Sequence, residues 1–298
     1  MSSTDSNSSS SANTHQPQIG IVLILLSMFI FAAQDGITKY LVKDLPIAQL
    51  VMVRYGFFLA FAIIFVSFNG GLAHAARSTK PLLQSVRSLL AIFEIMVFGM
   101  ALKYMGLAET HAIYAVFPLL TIALAGLLLK ESVSSAQWLT AGVGFIGTAI
   151  ILQPGTSVFS PASLIPLMAA LMFAVFSIIS RKIGNSDSFG TNMLHMGFWG
   201  ALTSTLVGLP QWVTPTLTQA LLMITLSITG VAAQMLMVQA FKYAPVVTLQ
   251  PFNYTLLVFA SLIGVIWLGE RLTPSLLTGS LLVVAGGLVS LRLLKSSK

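Results

Sequence analysis

Long runs of apolar residues recur from Ile19 almost to the end of the chain, parted only by short polar joints. Each run approaches the roughly 20 residues that one helix needs to cross a bilayer. Such a chain has few folds open to it. Hydrocarbon offers no partner to an unpaired backbone N–H or C=O, so only helices and closed barrels can span it. A membrane barrel would read as short segments of alternating hydrophobicity, which these runs are not. The expected fold is therefore an all-α, multi-pass membrane protein. Composition agrees: 56% of the 298 residues are hydrophobic and 8% are charged, where a soluble domain carries about a quarter charged.

Turn residues and charges divide the apolar mass into ten expected transmembrane helices: 19–42, 47–69, 81–104, 107–129, 134–152, 161–182, 188–208, 218–242, 245–268 and 274–294. Residues 1–18 form a polar, Ser-rich tail that reads as disordered. The apolar run after it is too long for a signal-peptide core and is expected to stay as the first span. Joints are short, so sequence neighbours pack antiparallel and no extramembrane domain is left for soluble chemistry. Lys and Arg set the direction. With the N-terminus inside, Arg77, Lys80, Lys130, Arg181, Lys182, Lys242, Arg292, Lys295 and Lys298 face the cytoplasm, against Lys39, Lys43, Lys103 and Arg271 outside. Both termini are therefore expected to be cytoplasmic.

Several chemistries are disfavoured. No cysteine is present, which removes disulfides and thiolate metal sites. The four histidines show no metal-ligand spacing, so no metal is expected. GVGFIG at 142–147 matches a dinucleotide fingerprint by letter, but it lies inside an expected span and no acidic residue follows until Asp187. Its glycines read as helix-packing surface. Nothing resembles a P-loop, and no cofactor is expected. The net charge of +7 reads as basic cytoplasmic loops, not as a nucleic-acid surface.

The chain also repeats itself. Shifted by 139 residues, ALKYMGLAETHAIYAVFPLL…LLLKE (101–131) lies ungapped over AFKYAPVVTLQPFNYTLLVF…IWLGE (240–270). Ala101/Ala240, Lys103/Lys242, Tyr104/Tyr243, Leu129/Leu268 and Glu131/Glu270 coincide. Five spans per half is an odd number, so the halves, 19–152 and 161–294, are expected to sit upside down relative to each other as two inverted five-helix repeats. Inverted repeats with a midplane site are a common architecture of secondary transporters.

These stretches, with LLLKESVSSAQWLTAGVGFIGTAIILQPG and the closing IWLGERLTPSLLTGSLLVVAGGLVSL, resemble the drug/metabolite transporter superfamily in its EamA-type ten-helix branch. The shared pattern is A-L-x-Y at a helix end, a proline-bearing helix, L-G-E and a Gly-rich closing helix. The first copy departs from L-G-E at Leu129-Lys130-Glu131 but keeps the acid. The resemblance implies movement of a small metabolite (amino-acid-like, nucleotide-like or amphiphilic) through a central cavity open alternately to each side of a bacterial inner membrane. It does not name the substrate.

Polar residues within the spans are the site candidates, because a charge at the bilayer centre costs roughly 2.5–3.5 kcal/mol on insertion scales. Asp35 and Arg54 fall at similar depth on the first two helices, and Lys39 shares a helix face with Asp35. The cluster reads either as a salt bridge between helices or as the charged mouth of a cavity. Glu94, mid-helix with Arg87 seven residues before it, is a candidate proton carrier or a packing partner. His111 and Tyr114 open the fourth span beside the shallower Glu109. Gln234 and, at the pseudo-equivalent position of the ninth span, Asn253 and Tyr254 complete the expected substrate site. Asn192, His195 and Gln239 read as interhelical hydrogen bonders. Phe31, Phe93, Trp199 and the two tyrosines are candidate cavity walls. Pro118, Pro166 and Pro251 fall within spans and can bend them; Glu131 and Glu270 read mainly as structural. The expected partners are a small-molecule substrate, membrane lipid, a coupling proton and a second copy of the chain, with no nucleic acid. An enzyme is not expected. Two rivals stay open: an intramembrane enzyme pairing Glu94 with His111, and a passive channel.

Overall fold

Helix occurs in each of the ten apolar segments of the computed structural model, and no strand occurs among the described residues. The structure describes residues 17–128, 135–153, 160–183, 186–243, 252 and 255–296. The expected tail lies outside them, except that Pro17 and Gln18 already belong to the first helix. The elements are α1 (Pro17–Leu41), α2 (Ile47–Phe68), the short α3 (Leu72–Ala75), α4 (Pro81–Tyr104), α5 (Leu107–Tyr114), α6 (Phe117–Leu128), α7 (Ser135–Leu152), α8 (Leu164–Ile183), α9 (Phe189–Gly208), α10 (Leu217–Tyr243), α11 (Thr255–Ile266) and α12 (Pro274–Ser296). Among the described residues, six stretches are long and apolar enough to cross a membrane: 18–41, 47–68, 81–104, 107–128, 161–180 and 217–237.

The fourth of these is not one continuous helix. It is interrupted by a turn at Ala115 and Val116. Proline explains the position: a proline at 118 has no N–H to offer the carbonyl four residues before it, that of Tyr114, so the helical ladder is interrupted there. The break therefore falls just after Tyr114. Pro166 behaves differently, because it sits in the first turn of α8, where no intrahelical donor is lost. Pro251 lies outside the described residues.

Packing partners come in matched sets. α1 lies on α10 as α8 lies on α4, α1 lies on α11 as α8 lies on α5 and α6, and α4 meets α9 as α10 meets α2. The three remaining large contacts, α2 with α9, α7 with α12 and α5 with α11, map onto themselves when the halves are exchanged. Glycines let the α2–α9 seam close: an ideal Cβ on Gly208 would stand 2.7 Å from the Ala48 carbonyl oxygen.

Both ends of α4 are tied down. At its C-terminal end, Lys39 donates to the carbonyls of Leu102 and Met105 and its ammonium lies 3.4 Å from Glu270. Glu270 in turn accepts from the Leu107 N–H, 2.7 Å from Oε1 and 2.8 Å from Oε2, which caps the start of α5. Tyr40 stacks on Trp267 at the same end. At the other end, Asp187 between α8 and α9 accepts from Ser78, from the backbone and hydroxyl of Thr79, and from Gln84 at 2.7 Å. Gln84 also donates to Asn192 at 2.6 Å, and His195 Nε2 lies 3.2 Å from the Ala76 carbonyl. Eighteen helical residues separate Gln84 from Leu102, so the two ties stand about 27 Å apart.

Asp187 lies outside the spans. Burial raises its pKa, but the hydrogen bonds from Gln84, Ser78 and Thr79 outweigh that and hold the carboxyl well below the usual carboxylate range. A depressed folded value means that its stabilising contribution is complete above the ordinary Asp pKa and is lost as pH falls through the folded value. Asp187→Asn is thus expected to lower the thermal midpoint in detergent by an amount that is constant across neutral pH and shrinks in strong acid. A midpoint unchanged at neutral pH would show that the tie contributes nothing.

Candidate functional site

Midway between the two ties, the bundle holds charge and aromatic surface together. Asp35 on α1, Arg54 on α2, Phe98 and Gly99 on α4 and Leu226 on α10 line a cavity of about 30 Å³, room for little more than a water. α5 packs behind this cavity through its last turns, where His111 meets the lining residues Asp35 and Phe98. His111 is 4% exposed, and its Nε2 lies 3.1 Å from Asp35 Oδ2. The contact is a close approach without hydrogen-bond alignment. One turn on, the Tyr114 hydroxyl donates to Glu94 Oε1 at 2.7 Å, and Glu94 is 7% exposed. Asp35 and Arg54 both stand near enough to act on the Glu94 charge. Four of the expected first-half residues therefore meet in two joined pairs, with Arg54 beside them.

Aromatic rings continue from this cluster. Phe98 packs edge-on against both His111 and Tyr114, with ring centres 5.1 and 4.9 Å apart. Tyr114 meets Phe117 and Phe173, and Phe173 continues to Phe176. The Arg87 guanidinium sits 6.0 Å over the Phe176 ring and donates to the Asn192 carbonyl. The arrangement offers flat apolar faces beside two carboxylates, an imidazole and a guanidinium, which suits a ligand with a flat ring and charged groups.

Several sequence expectations change. Lys39 does not accompany Asp35: its long chain turns across to Glu270 and the α4 carbonyls. Asp35 does not staple α1 to α2 through Arg54: among the described residues its close side-chain contact is with His111. Glu94 and His111 do not pair either; each has the other's neighbour as its partner. Gln234 is half-buried on α10, while Asn253 and Tyr254 lie outside the described residues. Phe93 faces outward and Phe31 packs beside Ile24, Met28 and Ala240, so neither walls the cavity. Sequence reasoning did not single out Phe98, Phe117, Phe173 and Phe176; among 19 phenylalanines no spacing distinguishes them. It also passed over Gln34, which is 1% exposed with neither amide atom hydrogen-bonded.

The chain matches the EamA-like transporter family twice, over residues 18–153 and 160–292. It is 28% identical over 270 residues to an S-adenosylmethionine uptake transporter of Rickettsia bellii, covering 89% of this chain and 91% of that one. It is 28% identical over 258 residues to a riboflavin transporter of Vibrio cholerae, covering 85% of this chain and 86% of that one. A solved crystal structure resembles it in fold, with a TM-score of 0.65 at 19% identity, covering 97% of this chain and 99% of that one.

Proposed function

Because the chain belongs to the EamA-like transporter family, we propose that it is a secondary transporter whose substrate is a zwitterionic small metabolite bearing a flat heteroaromatic ring, of the S-adenosylmethionine type. That it moves a small metabolite across a membrane follows from its family and relatives. The substrate class rests on one observation: Asp35 and Arg54, of opposite charge, line one mid-bundle cavity with Phe98, and from Phe98 a chain of ring contacts runs on through Tyr114 to Phe117 and Phe173. An adenine ring stacks on Phe98, Tyr114, Phe117 and Phe173. Asp35 and Glu94 meet the cationic centres, and Arg54 meets the carboxylate. From the second half, Gln234, Asn253 and Tyr254 are the proposed substrate contacts.

Ten spans in two inverted repeats give this site its two doors. The reading is supported by the double family match, by the odd number of spans per half and by the packing partners that match when the halves are exchanged. The Lys39–Glu270 tie closes the outer side and the Asp187 tie the cytoplasmic side, so the present conformation is occluded and its cavity small. Breaking one tie at a time exposes the site to alternate sides. Both termini lie in the cytoplasm of a bacterial-type inner membrane, as the Lys and Arg bias of the joints favours. Glu94 carries the coupling proton, since among the described residues it is the most deeply buried carboxylate and its partner Tyr114 can hold either protonation state. The family and the transporter relatives support transport as the function, and no residue is given a covalent role.

Ligand-linked stability tests the substrate class. A ligand present at 100 times its Kd raises stability by about 2.7 kcal/mol. Purified protein in detergent is therefore expected to melt later with S-adenosylmethionine, and by less with riboflavin at the same concentration. No shift with S-adenosylmethionine, or a larger one with riboflavin alone, contradicts the assignment.

A further inference from the structure

We infer that Gln34, together with Arg54 and the bare backbone at Gly230, forms the subsite that reads an α-amino-carboxylate head group; the inference rests on the substrate class proposed above. Gln34 precedes Asp35 on α1 and is 1% exposed, yet neither its Oε1 nor its Nε2 has a hydrogen-bond partner. A buried amide left unpaired costs roughly 1–3 kcal/mol, and a lipid-facing helix has no need of one. Its surroundings point to a use. On α10, an ideal Cβ at Gly230 would stand 3.2 Å from Gln34 Oε1, 3.4 Å from Arg54 Nε and 3.5 Å from Arg54 Nη2. An amide oxygen and two guanidinium nitrogens thus converge on one point that only glycine leaves empty.

The chemistry of that niche is specific. A glutamine amide presents an acceptor and a donor side by side. The acceptor suits an ammonium and the donor suits a carboxylate, while Arg54 offers the fork that carboxylates take in two parallel bonds. Asp35, on the next residue of α1, adds a negative charge for the ammonium. An α-amino acid end satisfies all three groups together; a polyhydroxyl chain brings no carboxylate to the Arg54 fork. In the present conformation α1 lies closed on α10, with Ser27 donating to the Ala233 carbonyl at 2.8 Å, so the subsite is reached when this seam parts.

Binding of S-adenosylmethionine and of 5′-methylthioadenosine, which keeps the ring and ribose but lacks the amino acid, tests the inference. Wild-type protein is expected to prefer S-adenosylmethionine by about 10-fold or more. Gln34→Leu, which removes two unpartnered polar atoms and so is expected to fold, should lose most of that preference. Its affinity for methylthioadenosine should not change. Gly230→Ala, which fills the niche without altering the amide, should act in the same direction. Preference retained in both variants overturns the role of Gln34, as does a wild type that binds the two probes equally; the ring-binding reading survives either result. A folded wild type that binds neither probe overturns the substrate class and the subsite together.

Discussion

Glu94→Gln is expected to reduce S-adenosylmethionine uptake by about 10- to 100-fold, the equivalent of losing one hydrogen bond or ion contact to a charged group. The substitution is nearly isosteric, and glutamine can still accept from Tyr114 through the geometry that now places the hydroxyl 2.7 Å from Oε1. Packing around residue 94 should therefore survive, and the thermal midpoint with it. What disappears is the negative charge beside Asp35 and Arg54 and the capacity to take up a proton. Uptake into liposomes should lose its response to an imposed proton gradient altogether. Gradient-driven uptake at the wild-type rate would remove Glu94 from the mechanism.

Glu270→Ala is expected to be the most destabilising single change at a charged residue, costing about 3 kcal/mol. The carboxylate serves two clients at once. It caps α5 through the Leu107 N–H, with the Ala108 N–H at 3.4 Å, and it faces the Lys39 ammonium. Gly106 and Gly264 leave the space it occupies: an ideal Cβ at Gly264 would stand 2.6 Å from Oε2. Truncation would leave two helix-terminal donors and a cation without an anion in a largely water-free position. Thermal unfolding in detergent measures the loss. A midpoint within experimental error of wild type would show that carbonyls alone hold Lys39 and that the cap is dispensable.

How far the sequence could be read depended on the physical range of each signal. Hydropathy is local, so it located the helical segments that the structure shows, and the break after Tyr114 was implicit in Pro118. Charge is rare in such a chain, so Asp35, Arg54, Glu94 and His111 stood out one by one and do gather at one level of the bundle. Their partners were another matter. Lys39 reads as a companion of Asp35 because the two share a helix face, yet a four-carbon stem reaches across to Glu270, more than 200 positions away. Asp35 meets His111 and not Arg54, a pairing of α1 with α5 that neither residue's position along the chain announces. Gln34 carries no charge and was passed over. Its meaning lies in a glycine on α10 and a guanidinium on α2, a conjunction that exists only once the helices pack.

The most direct test of the central claim is counterflow in liposomes reconstituted with the wild-type protein. Vesicles preloaded with unlabelled S-adenosylmethionine are placed in a trace of the labelled compound. A carrier with one site exposed alternately to each side should accumulate label transiently above its equilibrium level, and the overshoot should vanish in empty vesicles. Label that merely equilibrates at the same rate in loaded and empty vesicles, or fails to enter at all with folded protein, would contradict the account.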